Sequence, residues 1–140
     1  MATILDVQGE LERALNAHDA AKVASFYAED CVYKNEPAGP QAKGRDAVKT
    51  YMEGVFSAFP DVKVDVMNTF ASGNFTAREM VMTGTHKGQL PGGVPATGKS
   101  FSVKMCVIAE FQGDLVKRVT RYWDMAELMR QLGLMPPAPG

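Results

Sequence analysis

The sequence predicts an α+β fold in which a curved antiparallel sheet is wrapped by N-terminal helices. Apolar residues recur at helical spacing over roughly the first 60 residues, and from residue 62 onward apolar and polar residues alternate with a period of two. The chain has 140 residues, of which 46% are hydrophobic, so it can bury a core of its own. We expect a single domain over residues 1–135 and a disordered, proline-rich tail over residues 136–140.

Three helices are expected before the change of period. The first has an apolar stripe over residues 4–15, and Asp19 is a suitable cap for the second. The third begins at Gly44 and carries the most regular apolar stripe of the chain, which stops at Pro60. A short strand over residues 31–33, followed by a Pro/Gly-rich loop, separates the second helix from the third.

About five strands are expected in all, because turn residues separate the alternating segments into two hairpins. The later strands are predicted over residues 62–66, 75–86, 101–111 and 115–123. A short last helix should follow over residues 125–132, with Gly133 as its left-handed C-cap. A sheet that curls around helices leaves a pocket between its concave face and those helices, and such a pocket is the expected place for a site.

Charge and cysteine content exclude several classes of function. The net charge is −1 and the basic residues are scattered, so nothing favours nucleic acid or an anionic membrane. Cys31 and Cys106 lie far apart and lack neighbours at metal-ligand spacing, so we interpret them as small apolar residues in a reducing compartment. No signal sequence or apolar run of membrane-spanning length is present. We therefore expect a soluble, cytoplasmic protein with no bound metal.

The last strand and the strand before the Gly/Pro-rich loop each end in an ionisable residue. Asp124 stands where the last strand meets the last helix, with Tyr122 one alternation behind it, and His86 ends the earlier strand. A carboxylate and an imidazole at two strand ends can form a small acid–base site. The alternative for Asp124 is a helix cap, since Glu127 follows at capping-box spacing. The alternative for His86 is to anchor the loop that follows it.

Other residues are candidates for the pocket wall. An apolar wall favours the neutral form of a carboxyl group and so allows it to act as both acid and base. The predicted substrate-binding residues, which combine apolar and polar side chains, are Tyr33, Asn35, Tyr51, Phe56, Met80, Met82 and Tyr122. For Tyr51, which belongs to the helix stripe, a purely structural place in the core is the alternative.

The remaining side chains of the last strand suggest an assembly. Counting alternation from Asp124 places Arg121, Trp123 and Val119 on the outer face of the sheet. Apolar side chains on the outer face of an open sheet are exposed to water unless another surface packs against them. We therefore expect a two-fold homodimer that packs sheet against sheet.

Four segments in the same order over nearly the whole chain resemble the SnoaL-like polyketide cyclases. They are NAHDAAKVASFYAEDCVY, GRDAVKTYMEGVFSAFPDVKVDV, GTHKGQ with PATGK, and RYWDMAELMRQLGL. The resemblance implies the cone-shaped α+β barrel of nuclear transport factor 2 (NTF2) and ketosteroid isomerase, which is of the cystatin type.

The same resemblance implies a reaction. The cyclases close a ring of an aromatic polyketide ester by intramolecular aldol condensation without a cofactor. An Asp in the last strand region acts as acid and base, and Asp124 matches it. Asn35-Glu36-Pro37 stands where many relatives carry an Asp-Pro pair. Two alternatives stay open on this fold: a non-catalytic protein that binds a hydrophobic small molecule, and an epoxide hydrolase or isomerase-type enzyme.

Overall fold

The computed structural model describes residues 3–36, 38–90 and 93–136 and confirms the α+β fold. Within these residues the helices are α1 (Ile4–Asn16), α2 (Ala20–Ser25), α3 (Arg45–Ala58) and α4 (Met125–Gln131). The strands are β1 (Tyr27–Glu36), β2 (Gly39–Lys43), β3 (Lys63–Ser72), β4 (Phe75–Thr85), β5 (Ser100–Gln112) and β6 (Leu115–Trp123). Residues 137–140 lie outside the described part, so the disordered tail and the domain boundary stay predictions.

The six strands form one sheet in the order β2-β1-β6-β5-β4-β3. Neighbouring strands are antiparallel except β1 and β6, which run parallel. The expectation of about five strands missed β2, because Pro40 interrupts the strand pattern of its sequence. Proline lacks a backbone N–H, and an edge strand such as β2 tolerates this loss because it pairs with a neighbouring strand on one side alone.

The helix ends follow their capping residues. Thr3 and Asp6 form a capping box at the start of α1, and Asp19 accepts a hydrogen bond from the Lys22 amide at the start of α2. The α3 helix ends two residues before Pro60. Gly133 has φ 77°, which confirms the left-handed cap after α4.

The core lies between the helices and the concave face of the sheet. Its fully buried side chains come from several elements and include Val48 of α3, Val107 and Phe111 of β5, and Val116 of β6. The helices cover one face of the sheet, and the site described next lies under α3 and α4. No helix of the described residues is both long enough and apolar enough to span a membrane.

Candidate functional site

A cavity of about 760 Å³ lies between α3, α4 and the concave face of the sheet. We call it the main cavity. Most of its wall is apolar and includes Val55, Phe59, Leu90, Trp123, Leu128 and Met129. The polar side chains that reach it are Asn35, Gln41, Thr50, Tyr51 and Arg121. Its size suits a small organic molecule, and its few polar groups would fix the orientation of that molecule.

Arg121 lies on the concave face of the sheet. Its register partners are Asn35 on β1 and Val107 on β5, and both of these are buried. The expectation that Arg121 and Trp123 point outward is therefore wrong, as it is for Val119, which is buried. Tyr122 lies on the opposite, outer face of the sheet and is 50% exposed, so it does not line the main cavity.

The wrong assignment of the inner and outer faces of β6 has a local cause. The β6 strand ends at Trp123, and Asp124 already belongs to the start of α4. The alternation itself holds, because Asp124 and Tyr122 share one exposed face, and the wrong step was to take the face of Asp124 as the pocket face. Counting from the apolar Val119 would have placed Arg121 and Trp123 inside, since residues at i, i+2 and i+4 share a face.

The Arg121 guanidinium is held by neutral groups. Nη1 donates to Tyr33 Oη at 2.9 Å and to Asn35 Oδ1 at 3.3 Å. Nη2 lies 3.1 Å from Met105 Sδ and 3.5 Å from Met82 Sδ. Among the described residues, the ion pairs include none to Arg121. The side chain is half-buried and borders the main cavity.

The site keeps Arg121 charged and Tyr33 neutral. Burial acts to lower the pKa of Arg121, but the phenol oxygens of Tyr33 and Tyr51 outweigh it, so that the net pKa is raised. Burial raises the pKa of Tyr33 to about 12, although Arg121 pulls it partly back. A cation without a neutralising carboxylate beside an apolar cavity is an attractive partner for a negatively charged or carbonyl oxygen.

The other predicted pocket residues divide between two spaces. Asn35, Tyr51 and Met82 line the main cavity. Tyr33, Phe56 and Met80 line a smaller chamber of about 40 Å³, which Arg121 also borders. Since Arg121 and Met82 border both spaces, the two are adjacent. The role of these residues in binding stays a prediction.

Asp124 is the N-cap of α4. Its Oδ1 accepts the Glu127 amide at 3.0 Å, and its Oδ2 lies 3.7 Å from Arg130 Nη2. The side chain is 66% exposed in a shallow outer depression with Glu36 and Tyr122. Its chain neighbours Trp123 and Met125 line the main cavity, whereas the Asp124 carboxylate does not.

His86 is completely buried and anchors the loop after β4. Its Nδ1 accepts the Thr97 amide at 3.3 Å and lies 3.1 Å from Thr97 Oγ1, which leaves the ring proton on Nε2. The backbone of Lys87 and Gly88 donates to Ala58 O, so the loop is also tied to the end of α3. His86 packs against Phe59 with 5.8 Å between ring centroids. Neither His86 nor Asp124 lines the main cavity, so the structure does not bring the two together there.

The described residues contain no cluster of three or more His, Cys, Asp or Glu side chains that could hold a metal ion. The polar groups of the main cavity are amide, hydroxyl, phenol and guanidinium groups. Such a set binds organic oxygen functions through hydrogen bonds.

Comparison with known proteins identifies the family of this chain. The family model for the SnoaL-like polyketide cyclases matches residues 5–132. The chain belongs to the SnoaL-like polyketide cyclase family.

Solved structures agree on the fold. AclR from Streptomyces galilaeus, which is proposed to be a hydroxylase, is 26% identical, with a TM-score of 0.81 over 97% of this chain and 84% of AclR. IdmH from Streptomyces antibioticus, which is proposed to be a polyketide cyclase, is 23% identical, with a TM-score of 0.77 over 94% of this chain and 99% of IdmH. A protein of Catenulispora acidiphila with a ketosteroid isomerase-like fold is 19% identical, with a TM-score of 0.80 over 96% of this chain and 100% of that protein.

Proposed function

We propose that this protein is a cofactor-free enzyme of the polyketide cyclase type that acts on a hydrophobic, carbonyl-rich small molecule in the main cavity. The observation that carries the proposal is Arg121, a cation without a carboxylate partner at the wall of a largely apolar cavity. Family membership supports the reaction type, and the apolar wall supports the substrate class.

A cation at this place would favour the chemistry of ring closure. In an aldol ring closure a base removes a proton from carbon and leaves an enolate oxygen that carries negative charge. The enolate carbon then attacks a second carbonyl, whose oxygen becomes negative and is protonated. A fixed guanidinium in a site poor in water stabilises either oxygen by several kcal/mol, on the order of 3 in comparable oxyanion sites. We assign this role to Arg121.

Asp124 is the proposed acid–base group. The proposal comes from the family resemblance, together with the position of Asp124 between Trp123 and Met125, which line the main cavity. We expect Asp124→Asn to lower the rate of ring closure of an aromatic polyketide ester by about a hundredfold or more. Stability should be unchanged because Asn caps a helix as well as Asp does. Turnover at saturating ester and thermal denaturation are the two measurements.

Asp124→Ala is the control for the capping role, and it should lower the free energy of unfolding by about 1 kcal/mol. A folded Asp124→Asn protein with full turnover would place the base elsewhere. That outcome would favour the second candidate function, a protein that binds the same kind of molecule without catalysis. The observation that supports this candidate is that the Asp124 carboxylate already contacts the Glu127 amide and Arg130 in an exposed position.

A homodimer is proposed on different residues from those the sequence suggested. The outer face of the sheet exposes large apolar side chains, which are Met67, Phe70, Phe75 and Tyr122 at 64%, 61%, 45% and 50%. A patch of this kind on a sheet is typical of an interface. The two free cysteines and the low net charge support our proposal of a cytoplasmic protein that binds neither nucleic acid nor membrane.

Met67→Asp should convert the proposed dimer to a monomer, because the new carboxylate would be desolvated in the middle of the interface. Light scattering at micromolar protein measures the mass of both forms. Ala21→Asp, on the exposed part of α2, adds the same charge away from this face and should leave the mass unchanged. A wild-type protein that is monomeric under these conditions contradicts the proposal.

A further inference from the structure

Asn35 lies between two polar side chains of the main cavity, Arg121 and Tyr51, and forms a hydrogen bond with each. It is 3% exposed, and its Oδ1 accepts from Arg121 Nη1 at 3.3 Å. Its Nδ2 donates to Tyr51 Oη at 2.9 Å. A guanidinium has only donors, so the amide oxygen must face Arg121 and the amide nitrogen must face Tyr51. The charge of Arg121 therefore sets the orientation of the Asn35 amide.

The same logic sets the role of Tyr51. Because Asn35 Nδ2 is a donor, Tyr51 Oη is the acceptor in that bond, and its own proton cannot point back at Asn35. Tyr51 is half-buried and lines the main cavity. Its ring is kept in place by Tyr33, with 5.0 Å between ring centroids. The phenol proton of Tyr51 is thus available for an acceptor on the cavity side.

We infer that Arg121 and Tyr51 form a paired-donor site for one oxyanion of the ligand, an enolate or a phenolate, and that Asn35 is the positioning residue that fixes the direction of both donors. The inference rests on the proposed function, since it needs an oxygen-bearing ligand in the main cavity. The guanidinium is positively charged and only donates, and the free phenol proton of Tyr51 is a second donor, so the pair stabilises an ionised oxygen over its protonated form. The substrate class is therefore an acidic enol or phenol, held as its anion.

The probe for this inference is 7-hydroxycoumarin, whose phenol titrates near neutral pH and whose two forms absorb at different wavelengths. We expect the wild-type protein to bind the ionised form at least about tenfold tighter than the neutral form, so that the bound phenol titrates at lower pH than the free one. Tyr51→Phe should remove about half of this preference in free energy, because one of the two donors remains.

Asn35→Asp is the decisive variant. The introduced carboxylate can pair with Arg121 and accept the Tyr51 proton, so that both donors turn away from the ligand. We expect the preference for the ionised form to disappear or reverse. The neutral analogue 7-methoxycoumarin should bind all variants within about threefold of wild type, which shows that the cavity is intact and that a merely structural effect is not the cause.

The outcomes separate the inference from the proposed function. An Asn35→Asp protein that keeps the wild-type preference, while Arg121→Met loses it, overturns the inference alone. An Arg121→Met protein that keeps the preference overturns the proposed function, and so does a wild-type protein that binds neither coumarin. In both of those cases the inference is overturned together with the proposed function.

Discussion

Arg121→Met is expected to lower the affinity for ionised 7-hydroxycoumarin by about 100-fold, because the substitution removes the cation from a largely apolar cavity wall. Methionine fills a similar volume with apolar atoms, and Arg121 already lies against the thioethers of Met82 and Met105. The affinity for 7-methoxycoumarin should change by less than about threefold, since that molecule carries no charge. Fluorescence titration at a pH above the titration of the free phenol measures both.

Arg118→Met is the matched control for this prediction. Arg118 is on the same strand, β6, but its side chain is 59% exposed and pairs with Glu110. Its replacement removes the same charge at a distance from the main cavity and should leave both affinities unchanged. Equal losses in the two variants would mean that net charge, rather than contact with Arg121, determines binding.

Glu12→Ala is expected to cost about 3 kcal/mol of unfolding free energy, because it leaves the guanidinium of Arg78 buried without its carboxylate. Arg78 Nη1 donates to Glu12 Oε1 at 3.1 Å, and the two side chains are 7% and 19% exposed. Burial lowers the pKa of Arg78, and Glu12 offsets part of that effect. A loss of this size should lower the melting temperature by roughly 10 °C in a chain of this length.

Glu110→Ala provides the comparison, since it breaks the exposed pair with Arg118, whose atoms lie 3.7 Å apart. Surface pairs contribute little, so we expect a loss of about 0.5 kcal/mol or less. Denaturant unfolding of the two variants under the same conditions measures both losses. Similar losses of unfolding free energy in the two variants would show that the Arg78–Glu12 pair is screened by solvent and contributes no more to stability than a surface ion pair.

Local signals in the sequence were sufficient for most elements. The apolar stripe from Val48 to Phe59, with Pro60 after it, defines α3 because helix period and helix stop agree. The hairpin of β5 and β6 is likewise marked by alternation and by the turn at Gly113. The extent of β1, the strand β2 and the parallel pairing of β1 with β6 depend on contacts between residues far apart in the chain, so sequence periodicity does not reveal them.

The site was harder to predict than the fold for the same reason. Arg121 acquires its environment from Tyr33 and Asn35 on β1, which are more than eighty positions away in sequence. Single-residue chemistry drew attention to Asp124 and His86 instead, and the structure shows the first as a helix cap and the second as a loop anchor. Their catalytic roles stay predictions that the substitutions above test.

The structure of the complex with 7-hydroxycoumarin tests the central claim most directly, because it shows where the oxygen lies. At a pH where the phenol is ionised, we expect the ring system in the main cavity and the phenolate oxygen within about 3 Å of the Arg121 guanidinium. The Tyr51 hydroxyl should contact the same oxygen. A coumarin bound only on the outer face of the sheet, or one whose phenolate oxygen points away from Arg121, would contradict the account.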